Sequence, residues 1–242
     1  MTRLDVALVA RGLVESRARA QAAIKAGGVT VDGHPARSAS QTVRDETVLV
    51  VEADHPWVGR GGVKLAHALA LWPIPVEGRI VLDVGASTGG FTEVCLARGA
   101  AQVFAVDVGS GQLHPRIAGD PRVVNLERTD ARALTSEQVP IAPELVVCDA
   151  SFISLIKILP AALALASEAA DLVALVKPQF EAEGPAGVGK GGIVKDPTAR
   201  EAALARVSRW LDSMGWTVNA STPSPITGGD GNVEFLIWAT RR

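Results

Sequence analysis

Residues 79–91 constrain the fold of this chain more than any other stretch. Ile80, Val81, Leu82 and Val84 form a short apolar run, which is typical of a strand buried on both faces of a parallel sheet. A turn of small residues follows, and a helical pattern then begins at Gly90. A strand, a glycine turn and a helix in this order predict either a ligand site at the helix N-terminus or an ordinary buried turn of an α/β protein.

The pattern of strand, turn and helix repeats along the rest of the chain. Apolar runs predict strands near 80–84, 102–106, 123–126, 145–148, 172–176, 216–220 and 233–239. Helices are predicted at 90–98, 111–118, 154–167 and 198–214. Repeated βα units favour a doubly wound, mostly parallel α/β sheet of seven strands with ligands at the carboxyl ends of its strands. The last two strands read as a hairpin, which puts one antiparallel strand at the end.

The first fifty residues show a different and smaller organisation. Leu4, Leu8 and Val9 recur at helical spacing, and Ser16 is a suitable N-cap for a second helix that runs to Ala26. Short strands are predicted at 29–31, 43 and 48–51. We therefore expect a small α+β domain over 1–51, a linker over 52–64 and a larger domain over 65–242, with Lys64 opening a helix over 65–72.

Composition and charge limit the classes of protein to consider. Residues 1–64 carry 9 Lys and Arg against 7 Asp and Glu, whereas the remainder carries 15 against 19. A polyanion would therefore bind mainly near the N-terminus. The 2 cysteines form no Cys–X–X–Cys or Cys/His cluster, and no apolar run is long enough to cross a bilayer. The sequence predicts a cytoplasmic protein without a metal site and without membrane attachment.

Charged residues stand where the predicted strands end. Asp83 lies inside the end of the first strand of the larger domain, and Asp107 follows the second strand, 24 residues later. Asp107 is placed to hold the ribose hydroxyls of an adenosyl group, and Asp130, after the third strand, is placed to meet the adenine amine. A carboxylate at Asp83 suits a cationic cofactor better than a pyrophosphate. The predicted cofactor-binding residues are Asp83, Gly85, Ala86, Ser87, Gly89, Gly90, Phe91, Asp107, Asp130 and Asp149.

The N-terminal pattern resembles the S4 RNA-binding domain over nearly the full length of that domain. The resemblance rests on the ordered string Leu4-Asp5, Arg11-Gly-Leu, Ser16-Arg17, Ile24 and Gly28-Val-Thr-Val-Asp-Gly33. It implies that basic residues lie on the RNA backbone, where they position the protein without reading sequence. The RNA-binding residues expected in this way, together with Arg60 of the linker, are Arg3, Arg11, Arg17, Arg19, Lys25 and Arg60.

Motifs spread over the whole chain resemble the TlyA (hemolysin A) family, ribosomal RNA 2′-O-methyltransferases that use S-adenosylmethionine. The motifs are Val-Gly-Arg-Gly-Gly-Val-Lys64-Leu, Asp83-Val-Gly-Ala-Ser-Thr-Gly-Gly-Phe-Thr, Cys-Asp149-Ala-Ser-Phe-Ile-Ser-Leu, Leu-Val-Lys177-Pro-Gln-Phe-Glu and Gly-Asn-Val-Glu234-Phe. The wider RrmJ/FtsJ-type ribose methyltransferases use a Lys-Asp-Lys-Glu tetrad. The resemblance therefore implies that Lys64, Asp149, Lys177 and Glu234 are the catalytic residues.

The chemistry of ribose methylation is consistent with these roles. The enzyme must align the oxygen, the methyl group and the sulfur in line, and it must remove the hydroxyl proton. We expect Lys177 to serve as the base if burial and the nearby Lys64 favour its neutral amine. Asp149 and Glu234 would then orient the lysines and the hydroxyl, and the reaction needs no metal.

Two departures from the family limit what the resemblance implies. The segment 181–190 differs from the family's usual basic, glycine-rich loop, so the RNA-facing rim is expected to differ. The chain also has short ends around its motifs, which favours large-subunit RNA over small-subunit RNA as the substrate. The linker over 52–64 is expected to become ordered when RNA binds and to help complete the cofactor site.

Three other functions compete with this interpretation. The first is a base-modifying RNA methyltransferase, which would usually carry an Asn/Asp-Pro-Pro-aromatic motif or a nucleophilic cysteine where this chain has Asp149-Ala-Ser-Phe. The second is an RNA-binding ribosome-assembly factor with a non-catalytic methyltransferase fold. The third is a membrane-lysing protein, which would need an amphipathic or spanning segment that the sequence lacks.

Overall fold

The first unit of the molecule follows the helix and strand patterns of the first fifty residues. The computed structural model describes residues 1–14, 16–25, 28–51, 55–181, 192–228 and 231–241, and contacts divide the chain into Met1–Pro56 and Trp57–Arg242. The elements of the first unit are β1 (Thr2–Arg3), α1 (Leu4–Ala10), α2 (Arg17–Lys25), β2 (Val29–Val31), β3 (His34–Pro35), β4 (Thr42–Val43) and β5 (Leu49–Val51). Strand β2 pairs with β3 and β5, and β1 pairs with β4. Leu4, Leu8, Ala20 and Val29 are buried in its small core.

The second unit contains a sheet of seven strands with the predicted doubly wound topology. The strands are β6 (Ile80–Val84), β7 (Gln102–Val106), β8 (Val123–Leu126), β9 (Leu145–Cys148), β10 (Asp171–Val176), β11 (Trp216–Pro223) and β12 (Phe235–Arg241). Their order is β11-β12-β10-β9-β6-β7-β8, and β12 is antiparallel to both of its neighbours. The strand order reverses between β6 and β9, which opens a crevice at the carboxyl ends of these two strands. The predicted fold class is confirmed.

Helices cover both faces of this sheet because successive strand residues point to opposite sides. The helices are α3 (Gly61–Leu71), α4 (Gly90–Ala97), α5 (Pro115–Ala118), α6 (Leu155–Leu165), α7 (Pro178–Glu181) and α8 (Pro197–Ser213), with a 3₁₀ turn at Ala131–Ala133. Leu82 and Val146 pack in the same core as α6 and α8. Their neighbours Val81 and Val147 pack with α3 and α4 on the other face.

Three local predictions differ from the structure. Helix α3 begins at Gly61 rather than at Lys64. The low helix propensity of glycine argued against this start, but the lack of a side chain permits the close packing described below. Helix α5 begins only at Pro115, whose fixed φ suits the first helical position, so residues 111–114 are not helical. Strand β12 begins at Phe235 rather than at residue 233, and it forms the predicted hairpin with β11.

The predicted linker over 52–64 overlaps the division between the two units. Residues 52–54 and the atypical segment at 182–190 lie outside the described residues. Within the second unit, residues 57–60 form bends that lead directly into α3. The domain boundaries at 51 and 64 stay predictions.

Candidate active site

The turn after β6 brings backbone close to the end of β9. Gly85 has a φ of +82°, and a Cβ placed there would lie 3.0 Å from Cα of Ala150, so only glycine fits. Gly89, with a φ of +92°, is the N-cap of α4. The helix starts at Gly90, and the ring of its second residue, Phe91, is buried. Ser87 also has a positive φ, +48°, between Ala86 and Thr88. The turn therefore curves tightly over the crevice.

Two of the predicted cofactor-binding carboxylates border this turn. Asp83 is fully buried, and its Oδ2 accepts a hydrogen bond of 2.6 Å from Oγ1 of Thr92 on α4. Its Oδ1 has no hydrogen-bond partner among the described residues. Burial raises the pKa of Asp83 to about 7, against the lowering effect of the Thr92 hydrogen bond. Asp107 accepts hydrogen bonds from the backbone N–H groups of Ser87 (2.8 Å) and Gly109 (2.7 Å), which fix its carboxylate beside the turn.

The third predicted cofactor-binding carboxylate, Asp130, has a local partner. Its oxygens accept from the backbone N–H of Arg132 at 2.9 Å and from the Arg132 guanidinium at 2.6 to 3.0 Å. The Arg132 hydrogen bonds hold the pKa of Asp130 at about 2. This carboxylate therefore caps the 3₁₀ turn at Ala131–Ala133, and any contact with a ligand would be made alongside that pairing.

The four residues of the expected tetrad meet in one buried cluster. Nζ of Lys64 lies 2.6 Å from Oε2 of Glu234 and 3.6 Å from Oδ2 of Asp149. Nζ of Lys177 lies 2.7 Å from Oδ1 of Asp149 and donates to Oγ of Ser151 at 2.8 Å. Lys64, Lys177 and Glu234 are each at least 94% buried. Positive and negative charges thus alternate along a chain that runs from Glu234 to Lys177.

Four separate elements bring these side chains together. Lys64 is on the second turn of α3, Asp149 follows β9, Lys177 follows β10 and Glu234 precedes β12. Because β9 and β10 are parallel neighbours, their carboxyl ends meet at the same edge of the sheet. Strand β12 runs the other way, so its start reaches that edge as well.

Glycines allow α3 to approach α4 closely enough for Lys64 to reach the cluster. A Cβ at Gly90 would lie 2.8 Å from the backbone N of Gly62, and one at Gly61 would lie 3.2 Å from Oδ2 of Asp149. Arg60, the last residue before α3, donates from its guanidinium to the carbonyl of Thr227 at 2.7 Å. The Arg-Gly-Gly motif is thus a packing motif of the second unit.

The loop after Asp149 contains residues that the sequence reasoning did not single out. Ser151 is the second residue, beside Asp149, that Nζ of Lys177 contacts. The ring of Phe152 is 88% exposed, its φ is +66°, and it packs on Phe180 with ring centroids 5.4 Å apart. Both residues lie inside a recognised motif, so motif membership was the available signal. Their partners, Lys177 and Phe180, lie in the segment that follows the neighbouring strand β10, which the motif does not reveal.

In the first unit, several predicted RNA-binding arginines have partners within the unit. The buried carboxylate of Asp5 pairs with Arg3 at 3.0 Å and with Arg17 at 3.1 Å. The Arg11 guanidinium donates to the carbonyls of Thr47 and Arg44. Arg19 and Lys25 are exposed on α2. Arg3, Arg11 and Arg17 thus have partners within the unit although they, like Arg19 and Lys25, are exposed to solvent.

Neither a group of metal ligands nor a membrane-spanning helix occurs among the described residues. No three His, Cys, Asp or Glu side chains there are grouped as metal ligands would be. Among the helices of that part of the chain, none combines the length and the apolar character needed to cross a bilayer.

Comparison with known proteins agrees with this geometry. Residues 57–241 match the model of the FtsJ-like methyltransferase family, and residues 2–49 match that of the S4 domain. The chain is 50% identical to the 16S/23S rRNA (cytidine-2′-O)-methyltransferase TlyA of Mycobacterium tuberculosis, over 98% of this chain and 88% of that protein. It is 44% identical to the putative rRNA methyltransferase YqxC of Bacillus subtilis, over 97% and 84% of the two chains.

A solved structure with the same two-part composition is also similar. The putative hemolysin from Streptococcus thermophilus superposes with a TM-score of 0.81 at 38% identity, and the match covers 99% of this chain and 88% of that one. The expected family is confirmed along nearly the full length of the sequence. The chain belongs to the TlyA family of FtsJ-like methyltransferases that carry an S4 domain at the N-terminus.

Proposed function

We propose that this chain transfers a methyl group from S-adenosylmethionine to the 2′-hydroxyl of a cytidine ribose in ribosomal RNA. The observation that carries the proposal is the buried cluster of Lys64, Asp149, Lys177 and Glu234. The substrate is proposed by analogy with the Mycobacterium tuberculosis relative, which is named for action on 16S and 23S rRNA. Action on ribosomal subunits would make the chain cytoplasmic.

The residues around the turn after β6 fit the proposed cofactor. S-adenosylmethionine is cationic, and it supplies a methyl group already activated on a sulfonium. Asp83 offers a buried carboxylate oxygen that lacks a partner among the described residues, which suits a positive charge. Asp107, held by two backbone N–H groups, is proposed to accept hydrogen bonds from ribose hydroxyls. The turn Gly85–Gly90 is proposed to contact the cofactor through its backbone, and Asp130 through the adenine amine.

Within the cluster, Lys177 is proposed as the base. As a neutral amine, its Nζ would accept the proton of the 2′-hydroxyl while the oxygen bonds to the methyl carbon and the carbon–sulfur bond opposite breaks. Asp149 forms an ion pair with the same Nζ and Ser151 accepts a hydrogen bond from it, and these two contacts aim Nζ. Proton removal of this kind contributes about 10²- to 10⁴-fold in rate.

Lys64 and Glu234 are proposed to position the cluster rather than to exchange protons. The 2.6 Å pair compensates the charge of a lysine that the fold buries almost completely. It also leaves Lys64 near the second oxygen of Asp149, so that Asp149 is held from both sides. The exposed ring of Phe152 offers an apolar face on which the target base could stack.

Transfer of labelled methyl to ribosomal subunits tests the proposal. Wild type, Lys177→Ala and Lys157→Ala would each be given small and large subunits and protein-free rRNA, with labelled S-adenosylmethionine. Lys157 is an exposed lysine on α6 and serves as the matched control. We expect label in alkali-resistant dinucleotides with wild type and Lys157→Ala, and a loss of at least about 100-fold with Lys177→Ala.

Two results would contradict the proposal. Label recovered on a base would indicate a base-modifying methyltransferase. Neither methyl transfer nor cofactor binding would instead support an RNA-binding assembly factor with a non-catalytic methyltransferase fold.

A further inference from the structure

Two segments of the active site are joined by contacts along their whole length. The loop 149–155 follows β9, and the segment 177–181 follows the neighbouring strand β10. At one end Lys177 contacts Asp149 and Ser151. In the middle Phe180 packs on Phe152. At the far end Glu181, the last residue of α7, contacts the start of α6.

Glu181 is a buried carboxylate whose two oxygens both have donors. Oγ of Ser154 donates to Oε2 at 2.5 Å, and the backbone N–H of Leu155 donates to Oε1 at 2.7 Å. Only 1% of the residue is exposed. Leu155 N–H is one of the amides that a helix N-terminus leaves without an intrahelical partner, and a carboxylate is favourable there. Burial raises the pKa of Glu181, in keeping with a carboxyl group withdrawn from water.

The contact of Glu181 with Ser154 and Leu155 holds the loop 149–155 in a conformation that its backbone alone would not keep. Phe152 has a positive φ, which is strained for a bulky residue, and its ring gains little from burial because it is mostly exposed. The strain persists only when surrounding contacts determine the conformation. The contacts to the segment 177–181 are those of Lys177 at one end of the loop, of Phe180 on the ring of Phe152, and of Glu181 at the other end.

We propose that Glu181 is a positioning residue for methyl transfer: by tying the N-terminus of α6 to α7, it fixes the loop that carries Asp149, Ser151 and Phe152. The inference rests on the proposed function, because it assigns Glu181 to the same reaction. Glu181 itself touches neither the tetrad nor the glycine turn. Its removal therefore alters turnover more than it alters cofactor affinity.

Three variants separate positioning from simple stability. Glu181→Ala removes both acceptors, whereas Glu181→Gln keeps one acceptor for Leu155 N–H and an amide for Ser154. Asp171→Ala is the control, because Asp171 is another buried carboxylate with two donors, Arg79 at 2.6 Å and Trp238 at 2.8 Å. Asp171 begins β10, at the opposite end of the sheet from the site.

Turnover at saturating cofactor and RNA is measured together with cofactor affinity and unfolding. For Glu181→Ala we expect kcat to fall about 10- to 100-fold, as misplacement by about 1 Å can cause, with cofactor Kd changed less than about twofold. Glu181→Gln restores kcat to within about threefold of wild type. Asp171→Ala unfolds more easily but keeps its kcat. A Glu181→Ala kcat that is unchanged, or that falls no further than that of Asp171→Ala, would overturn the inference.

Hydrogen exchange gives a second readout that needs no activity. In Glu181→Ala the amides of residues 151–155 should exchange faster than in wild type, while those of residues 85–91 keep their rates. Unchanged exchange over 151–155 would contradict the tether. If wild type transferred no methyl group while exchange still responded, the proposed function would fail and the tether would stand as a structural contact only.

Discussion

Asp83 is the residue whose environment is least like that of an ordinary carboxylate. Its pKa of about 7 comes chiefly from burial, and the negative charge of Asp149 adds to the rise. An unfolded aspartate ionises near pH 3.9. Between about pH 4 and pH 7 the folded state therefore keeps a proton that the unfolded state has released, so stability falls as pH rises through that window. The slope is at most about 1.4 kcal/mol per pH unit.

The Asp83→Asn variant removes this dependence on pH. We expect the variant, without cofactor, to gain stability relative to wild type as pH rises from 4 to 8, because only wild type carries the buried charge. Cofactor binding should weaken at least about tenfold, because an amide replaces the carboxylate that is proposed to bind the cationic cofactor. Urea unfolding at pH 4, 6 and 8 and titration calorimetry measure the two effects. Parallel stability curves for the two proteins would refute the assigned environment.

At the scale of elements, the packing of α3 on α4 controls the site. The N-terminus of α4 borders the glycine turn, and the second turn of α3 carries Lys64. A Cβ at Gly90 would lie 2.8 Å from the backbone N of Gly62 and 3.1 Å from the carbonyl of Gly59. Because both neighbours are backbone atoms, a substitution there must move one helix rather than rotate a side chain.

Gly90→Ala is therefore expected to lower cofactor affinity and turnover together, each by about tenfold or more. Gly78→Ala is the comparison. Gly78 has a φ of +72° with nothing within 4 Å of a Cβ, so its substitution costs about 1 to 2 kcal/mol of backbone strain without a collision. Cofactor Kd and kcat should stay near wild type in Gly78→Ala. Equal effects of the two substitutions on cofactor Kd would show that strain, and not the approach of α3 to α4, limits binding.

How far the sequence could predict each element depends on what determines it. Strands β6, β7 and β9 have the predicted bounds, because an apolar run buried between two helix layers is a local signal, and the partly exposed edge strand β8 has them as well. The glycine start of α3 was not predictable, because its helical form depends on contacts with α4 rather than on propensity. The four residues of the tetrad could be named from motifs. The roles of Ser151, Phe152 and Glu181 could not, because they depend on contacts between the segments that follow β9 and β10, which are distant in sequence.

The arginines of the first unit show the same limit. The position of a basic residue in the sequence does not predict whether its side chain pairs within the protein or contacts RNA. Arg3 and Arg17 pair with the buried Asp5, and the Arg3 hydrogen bonds hold the pKa of Asp5 well below its usual range. These two side chains thus have a structural role in addition to any contact with RNA.

At the scale of the whole molecule, the two units differ little in net charge. The first unit, residues 1–56, carries 7 Lys and Arg against 7 Asp and Glu, and the second unit, which includes Arg60 and Lys64, carries 17 against 19. RNA binding through phosphates depends on salt in proportion to the number of contacts, because each contact releases counterions. The first unit matches the S4 domain and exposes the basic side chains of Arg19 and Lys25, so we expect it to supply most of the salt-dependent affinity, and the second unit the chemistry.

The variant Arg19→Ala/Lys25→Ala tests this division. Both side chains are exposed on α2, and we expect their loss to weaken RNA binding while the slope of log K against log salt falls by about 1 to 2. Turnover at saturating RNA and cofactor Kd should stay within about twofold of wild type, since neither residue belongs to the catalytic unit. Arg37→Ala, which removes an exposed charge outside the predicted contacts, is the control and should change the slope less. An unchanged slope in the double variant would mean that α2 does not contact RNA phosphates. A fall in turnover at saturating RNA would mean that the first unit contributes to catalysis as well as to binding.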